Sequence, residues 1–272
     1  MPISHFFARP GIEPVRHLGS PDADTLLIVM GRNNYRQASS MIDRIIGVIH
    51  DRGIPVCWLE TRTTRTFKLL DRRFEALAGP QVRALRRRWP ALGWIVERLI
   101  KSMILLTRPD RWDYAVRPRK RAHVVAARDL CSYLDTLPAR RIWCLGHSAG
   151  GIVTSLAGAD PRITRLVCFG YPFRHPSQDE DPARTDHLAR LDTPFLIIQG
   201  DQDPYGTAVD AGRYALSGTI RILPVPGGHG YADLPDQDEA AVLSAILAFL
   251  DLAPDMAAGA SAAPPRVVAV GG

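Results

Sequence analysis

Ser148 stands in the stretch Gly146-His147-Ser148-Ala149-Gly150. An apolar run of strand type, Ile142 to Leu145, leads into it, and a helix-compatible run leaves it from Ile152. A serine hydroxyl attacks an acyl carbon when a sharp strand-to-helix turn lifts it above a sheet and a base stands beside it. Such a turn strains the serine backbone, so the residues two positions to either side must lack side chains that would collide. Gly146 and Gly150 meet that need. The same turn aims the Ala149 N–H at the point where an oxyanion forms, and the helix start adds partial positive charge there. The pattern is common by chance, so its meaning rests on the partners the rest of the chain supplies.

A base and an acid are required. Of eight histidines, only His175, His187 and His229 follow Ser148, and the first two fall in a long polar stretch, Tyr171 to Thr193. His229 instead follows the strand-like run Thr219 to Val225 directly, within Pro226-Gly227-Gly228-His229-Gly230. Glycines there let a loop approach closely, and His229 is the expected base. Two carboxylates compete for the acid, in Gly200-Asp201-Gln202-Asp203-Pro204. Pro204 biases Asp203 to an extended backbone, and the later position reaches a neighbouring loop better. Asp203 is therefore expected to orient His229, with Asp201 capping its turn. The second oxyanion donor is expected from Met30-Gly31-Arg32-Asn33, as the Arg32 N–H with Asn33 as the alternative. Asn33, Tyr171 and Tyr205 are candidate substrate contacts. No His/Cys cluster has metal-ligand spacing, and Gly146 to Gly151 lacks the Lys-Ser/Thr of a phosphate-binding loop, so no metal and no cofactor is expected.

Apolar runs at Thr25–Met30, Ile54–Leu59, Ile142–Leu145, Arg165–Gly170, Phe195–Gln199 and Thr219–Val225 read as strands. Most are continuous, as strands buried on both faces of a parallel sheet must be. Helical patterns alternate with them: Met41, Ile42, Ile45, Ile46 and Ile49 closing at Gly53; Val124 to Leu137; 151–158; Asp210 to Leu216; and Glu239 to Leu250. This alternation predicts an α/β fold, a doubly wound and mostly parallel sheet, with its site at the carboxyl ends of the strands. The expected organisation is an amino-terminal segment, 1–23, with at most one short strand near Glu13 to Leu18; a domain over 24–251; a helical insertion at 61–118 within it; and a low-complexity, unstructured tail at 252–272.

The insertion carries the charge. Residues 61–121 hold 17 Lys and Arg against 5 Asp and Glu, a net of +12, whereas the chain as a whole is only +6. Leu92, Ile95, Leu99, Met103 and Leu106 share one helical face there, and Trp89, Trp94 and Trp112 lie nearby. The simplest expectation is a pair of helices covering the sheet edge, with Trp and Leu turned inward and Arg solvated. A lid selecting an anionic substrate and a contact with an acidic lipid or membrane surface are the alternatives. Nucleic acid is disfavoured, since no recognition motif accompanies the charge. The four cysteines lack C-x-x-C spacing and read as buried thiols. No secretory signal and no run of about 18 uncharged apolar residues is present, so a cytoplasmic protein, at most peripheral to a membrane, is expected.

Over roughly residues 20–251 the order Ser148, Asp203, His229 in this strand–helix context resembles the α/β-hydrolase superfamily. A second stretch resembles its dienelactone-hydrolase-like group, which includes the testis-expressed protein 30 and NSL-complex subunit 3 relatives: Gly170-Tyr171-Pro172-Phe173, then Arg184-Thr185-Asp186-His187-Leu188, then Asp192 to Gly206. The resemblance implies a serine hydrolase of the carboxylic ester class (EC 3.1.1) with its triad on Ser148, Asp203 and His229, acting on a small acyl substrate without a cofactor. An acyltransferase or thioesterase would use the same residues, and a non-catalytic scaffold docking through the basic segment is the reading from outside enzymes.

Overall fold

The computed structural model describes residues 5–9, 12–31, 40–60, 62–112, 115, 122–139, 141–231, 234–252 and 268–269. In chain order these form β1 (His5–Arg9), β2 (Ile12–Leu18), β3 (Thr25–Met30), α1 (Ser40–Asp51), β4 (Val56–Trp58), α2 (Arg62–Arg88), α3 (Pro90–Leu106), α4 (Ala122–Leu134) and β5 (Arg141–His147). Then follow α5 (Ala149–Leu156), β6 (Ile163–Phe169), β7 (Phe195–Gly200), α6 (Ala208–Ala211), β8 (Ile220–Val225), α7 (Asp236–Phe249) and β9 (Val268–Ala269). Two compact units result: 1–59 with 127–272, and 60–126.

The first unit holds the sheet, ordered β1-β2-β4-β3-β5-β6-β7-β8-β9. The six strands from β4 through β8 run parallel, and β2 and β9 join antiparallel at the two sides. This is the doubly wound, mostly parallel sheet that the apolar runs predict. All six residues of β7 are buried, and Leu26 to Met30 of β3 likewise, because helices lie on both faces. Met41, Ile42, Ile45, Ile46 and Ile49 of α1 all pack into the core, each worth roughly 2 kcal/mol by apolar area. Gly53 follows with φ +86°, its N–H returning to the His50 carbonyl at 2.8 Å, which ends the helix as its glycine implies.

Three local expectations are corrected. The amino-terminal segment holds two strands, not one, because β1 and β2 pair as an antiparallel hairpin at the sheet edge. The expected helix from Asp210 to Leu216 is the single turn α6, set by reciprocal hydrogen bonds between Thr207 and Asp210. In the tail, Val268 and Ala269 pair with Ile222 and Arg221 as β9; its other residues beyond Leu252 lie outside the described ones.

The second unit is a helical hairpin. Gly93, Val96, Ile100 and Ile104 of α3 pack against Leu70, Phe74, Ala78 and Val82 of α2. Gly93 makes that approach possible, since a Cβ there would lie 2.7 Å from the Arg86 Cα. Leu92, Ile95, Leu99, Met103 and Leu106 take no part in the core of this hairpin and are 47–67% exposed. Among the described residues no helix is long and apolar enough to cross a membrane.

Candidate active site

The turn at Ser148 forms where β5 ends. Ser148 has φ +53° and ψ −126°, outside the region an L residue prefers, and two hydrogen bonds fix it there. Its N–H donates to the Phe169 carbonyl at 3.0 Å, and its own carbonyl accepts from Gly151 N–H at 2.8 Å. The flanking glycines are obligatory. A Cβ on Gly146 would lie 2.6 Å from Gly151 N, and one on Gly150 would lie 2.5 Å from the Met30 carbonyl oxygen. Ala149 is the first residue of α5, so its N–H has no intrahelical acceptor and is available to a ligand. Arg32 and Asn33 lie outside the described residues.

Asp203 and His229 meet across the ends of β7 and β8. The His229 Nδ1–H donates to Asp203 Oδ2 at 2.8 Å. Asp203 is 1% exposed, so its charge must be met by donors, and three converge on it. Besides His229 these are Gln199 Nε2–H on Oδ2 at 3.1 Å and the Tyr205 backbone N–H on Oδ1 at 2.8 Å. Asp201 is exposed and instead accepts from the Gly227 N–H at 2.8 Å. It caps across to the neighbouring loop rather than within its own, and thereby pins the loop that carries His229.

Space for this pair is cut out of Gly170. With φ +62°, a Cβ there would lie 2.9 Å from His229 Nδ1 and 3.2 Å from Asp203 Oδ2. The His229 ring is flanked by Tyr205, with centroids 4.5 Å apart, and by His147, with centroids 5.5 Å apart. Because His147 precedes Ser148, that contact brings the turn and the histidine loop together. The His147 Nε2–H donates to the His229 carbonyl at 3.4 Å. Below them Tyr231 donates its phenol to the Ile198 carbonyl at 2.8 Å, and burial pushes its pKa up.

Gln199, Gly170 and His147 are the site residues that sequence reasoning missed. Gln199 did carry a signal: it is the one polar side chain in the buried run Phe195–Gln199. Its amide donates to Asp203 and to the Gly206 carbonyl, while its Oε1 accepts from Tyr171 N–H at 2.9 Å.

Tyr171 is not a substrate contact. It is fully buried, packed on Phe173 and Phe195, with its phenol donating to the Arg184 carbonyl at 2.5 Å. Burial drives its pKa far up. The Gly-Tyr-Pro and Arg-Thr-Asp-His-Leu pieces are thus one structural layer tied together by that bond. Tyr205, by contrast, is half-buried beside His229 and reaches the site.

The other two histidines are engaged elsewhere. His175 accepts from Ser177 N–H at 3.2 Å, and His187 meets Ser155 Oγ at 2.7 Å. Ser155 is itself buried within α5. Burial lowers the His187 pKa to about 4, so it is neutral in the folded chain at pH 7. The unfolded chain binds a proton near pH 6.5 that the folded one refuses until about 4. Stability is therefore unaffected above that window and falls as pH drops through it, by of order 2 kcal/mol after its partial exposure is allowed for. Urea melts of the wild type and His187→Gln from pH 7 to pH 4 check this. The variant is expected to lack that part of the slope, and identical slopes would refute it.

Residues 114–244 match a family model described as "Alpha/beta hydrolase domain". No curated protein matches the chain in sequence. Among solved structures, the carboxylesterase CesB (YbfK) of Bacillus subtilis aligns at 13% identity with TM-score 0.51, covering 91% of each chain. A protein described as a CIB-like hydrolase from Thermoplasma acidophilum aligns at 12% identity with TM-score 0.50, covering 90% of this chain and 97% of that one. The fold of this chain, a mostly parallel sheet flanked by helices with a nucleophile-type turn after β5, is the α/β-hydrolase fold.

Proposed function

We propose that the chain is a serine hydrolase of carboxylic esters or related acyl bonds, using Ser148, His229 and Asp203. The observation that carries this is the pairing of His229 with the buried Asp203 carboxylate, on loops beside a serine held at positive φ. A carboxylate accepting from Nδ1–H fixes the tautomer in which Nε2 carries the lone pair. In that tautomer Nε2 takes the Ser148 proton as Oγ attacks the acyl carbon. The tetrahedral oxyanion is met by the Ala149 N–H and, in this reading, the Arg32 N–H. Collapse expels the leaving group, which takes the proton from His229 and leaves the acyl on Oγ. Water then attacks, its proton passing to Nε2; the carboxylic acid departs and Oγ recovers the proton.

The relatives named above are a carboxylesterase and a hydrolase, which fits this class, and the stretch from Gly170 to Gly206 supports a dienelactone-hydrolase-like grouping within it. None of Cys57, Cys131, Cys144 and Cys168 is in a disulfide, which supports a reducing, cytoplasmic setting.

A fluorophosphonate probe tests the reading directly, because it phosphonylates only a serine whose proton a neighbouring base removes. Labelling of the wild type at the peptide containing Ser148, with His229→Ala strongly slowed, is the expected result. Absence of labelling in the wild type, or labelling at another serine, would overturn it and leave the scaffold reading.

A further inference from the structure

The second unit carries more apolar surface than its own packing uses. One face of α3, Gly93-Val96-Ile100-Ile104, is spent on α2. The adjoining face, turned by about 100° around the helix, repeats at the same helical spacing with Leu92, Ile95, Leu99, Met103 and Leu106, and every one of these is exposed. Trp89, Trp94 and Trp112, each at least half exposed, stand near its two ends. A helix that is apolar on both faces has a second apolar surface to fill.

The surrounding charge identifies what fills it. Arg86, Arg87 and Arg88 form the last turn of α2, immediately before Trp89 and Leu92. Arg72, Arg73, Arg87 and Arg88 are exposed, and no ion pair ties them up among the described residues. Arg98 lies over the Trp94 ring at 4.6 Å, an amphipathic pair suited to a boundary between oil and water. The segment is +12 net. A second copy docking on the same face would bring two such charges together, which disfavours self-association. Five aliphatic side chains offer nothing to hydrogen-bond or stack on bases, which disfavours nucleic acid. An anionic lipid surface satisfies both features, taking the apolar stripe below the headgroups and the arginines among them. With 17 residues α3 is only about 25 Å long, and it carries Glu97, Arg98 and Lys101, so it would lie along the surface rather than cross it.

We propose that the exposed face of α3, bordered by Arg87, Arg88 and Arg98, docks the protein onto an anionic lipid bilayer. The test uses the full-length chain with phosphatidylcholine vesicles, with and without phosphatidylserine. Expected are sedimentation with the phosphatidylserine vesicles at low salt, release at high salt, and quenching of tryptophan fluorescence by bromine-labelled lipid. Arg87→Glu with Arg88→Glu, and separately Leu99→Asp with Met103→Asp, should each weaken vesicle partitioning about tenfold or more. Both pairs are exposed, so melting temperature should be unchanged.

No sedimentation at low salt would overturn the proposal. So would salt-sensitive binding that neither quenches tryptophan nor responds to the Leu99/Met103 change, since charge alone would then account for it. A dimer in sedimentation velocity that Leu99→Asp dissolves would assign the face to a second copy instead. Fluorophosphonate labelling read in parallel keeps the two proposals separate: vesicle binding without labelling removes only the hydrolase reading.

Discussion

Ser148→Ala is expected to lower kcat on any ester the protein turns over by roughly 10⁴- to 10⁶-fold, with KM little changed. The hydroxyl forms the covalent bond in the proposed mechanism, and no neighbour can substitute for it. The nearest imitation is the Ser155–His187 pair, but Ser155 is buried inside α5, and among the described residues no buried carboxylate hydrogen-bonds His187. Ser155→Ala should therefore keep turnover within a few-fold of wild type. Stability separates a lost nucleophile from a lost fold. Ser148 sits at φ +53° and Ser148→Gly relieves that strain, so the glycine variant should melt higher while being equally inactive. Steady-state kinetics beside thermal melts check both statements. Activity surviving in Ser148→Ala would remove the nucleophile assignment.

Asp203→Asn should cost about 10⁴ in kcat, for a reason visible in the donors around it. All three groups on the carboxylate donate: His229 Nδ1–H, Gln199 Nε2–H and Tyr205 N–H. An asparagine offers one oxygen and one NH₂. If the NH₂ takes the Oδ2 position it opposes Gln199 and drives the proton of His229 onto Nε2, where the ring can no longer accept from Ser148. If it takes the Oδ1 position it opposes the Tyr205 N–H and leaves a buried donor unmet. Either arrangement costs about 1–3 kcal/mol of stability, because the position is closed to water. Asp201→Asn, an exposed capping position, should do neither. A large loss in Asp201→Asn with near wild-type turnover in Asp203→Asn would reverse the assignment between them. Proton NMR of the Nδ1–H resonance would report the tautomer independently of rate.

The strand–helix alternation of the central parallel sheet, the turn at Ser148 and the contact of His229 with Asp203 rather than Asp201 were legible in the amino-acid chain. Each rests on local information: continuous apolar runs mark strands covered on both sides, glycines two residues either side mark a crowded turn, and Pro204 extends the backbone beside Asp203. What depended on distant residues was not legible. Gln199 reads as a strand end, and only the juxtaposition of β7 with the loops after it makes its amide a support for Asp203. Tyr171 reads as a polar contact near a site, but burial against Phe173 and Phe195 turns it into scaffold. In α3 the periodicity picks out the face from Leu92 to Leu106 correctly, yet the helix has a second apolar face. Which one packs was decided by Gly93, whose missing side chain lets the Arg86 backbone come close on its side alone. Composition and spacing determine that two apolar faces exist; only the tertiary contact with α2 decides which one is left exposed.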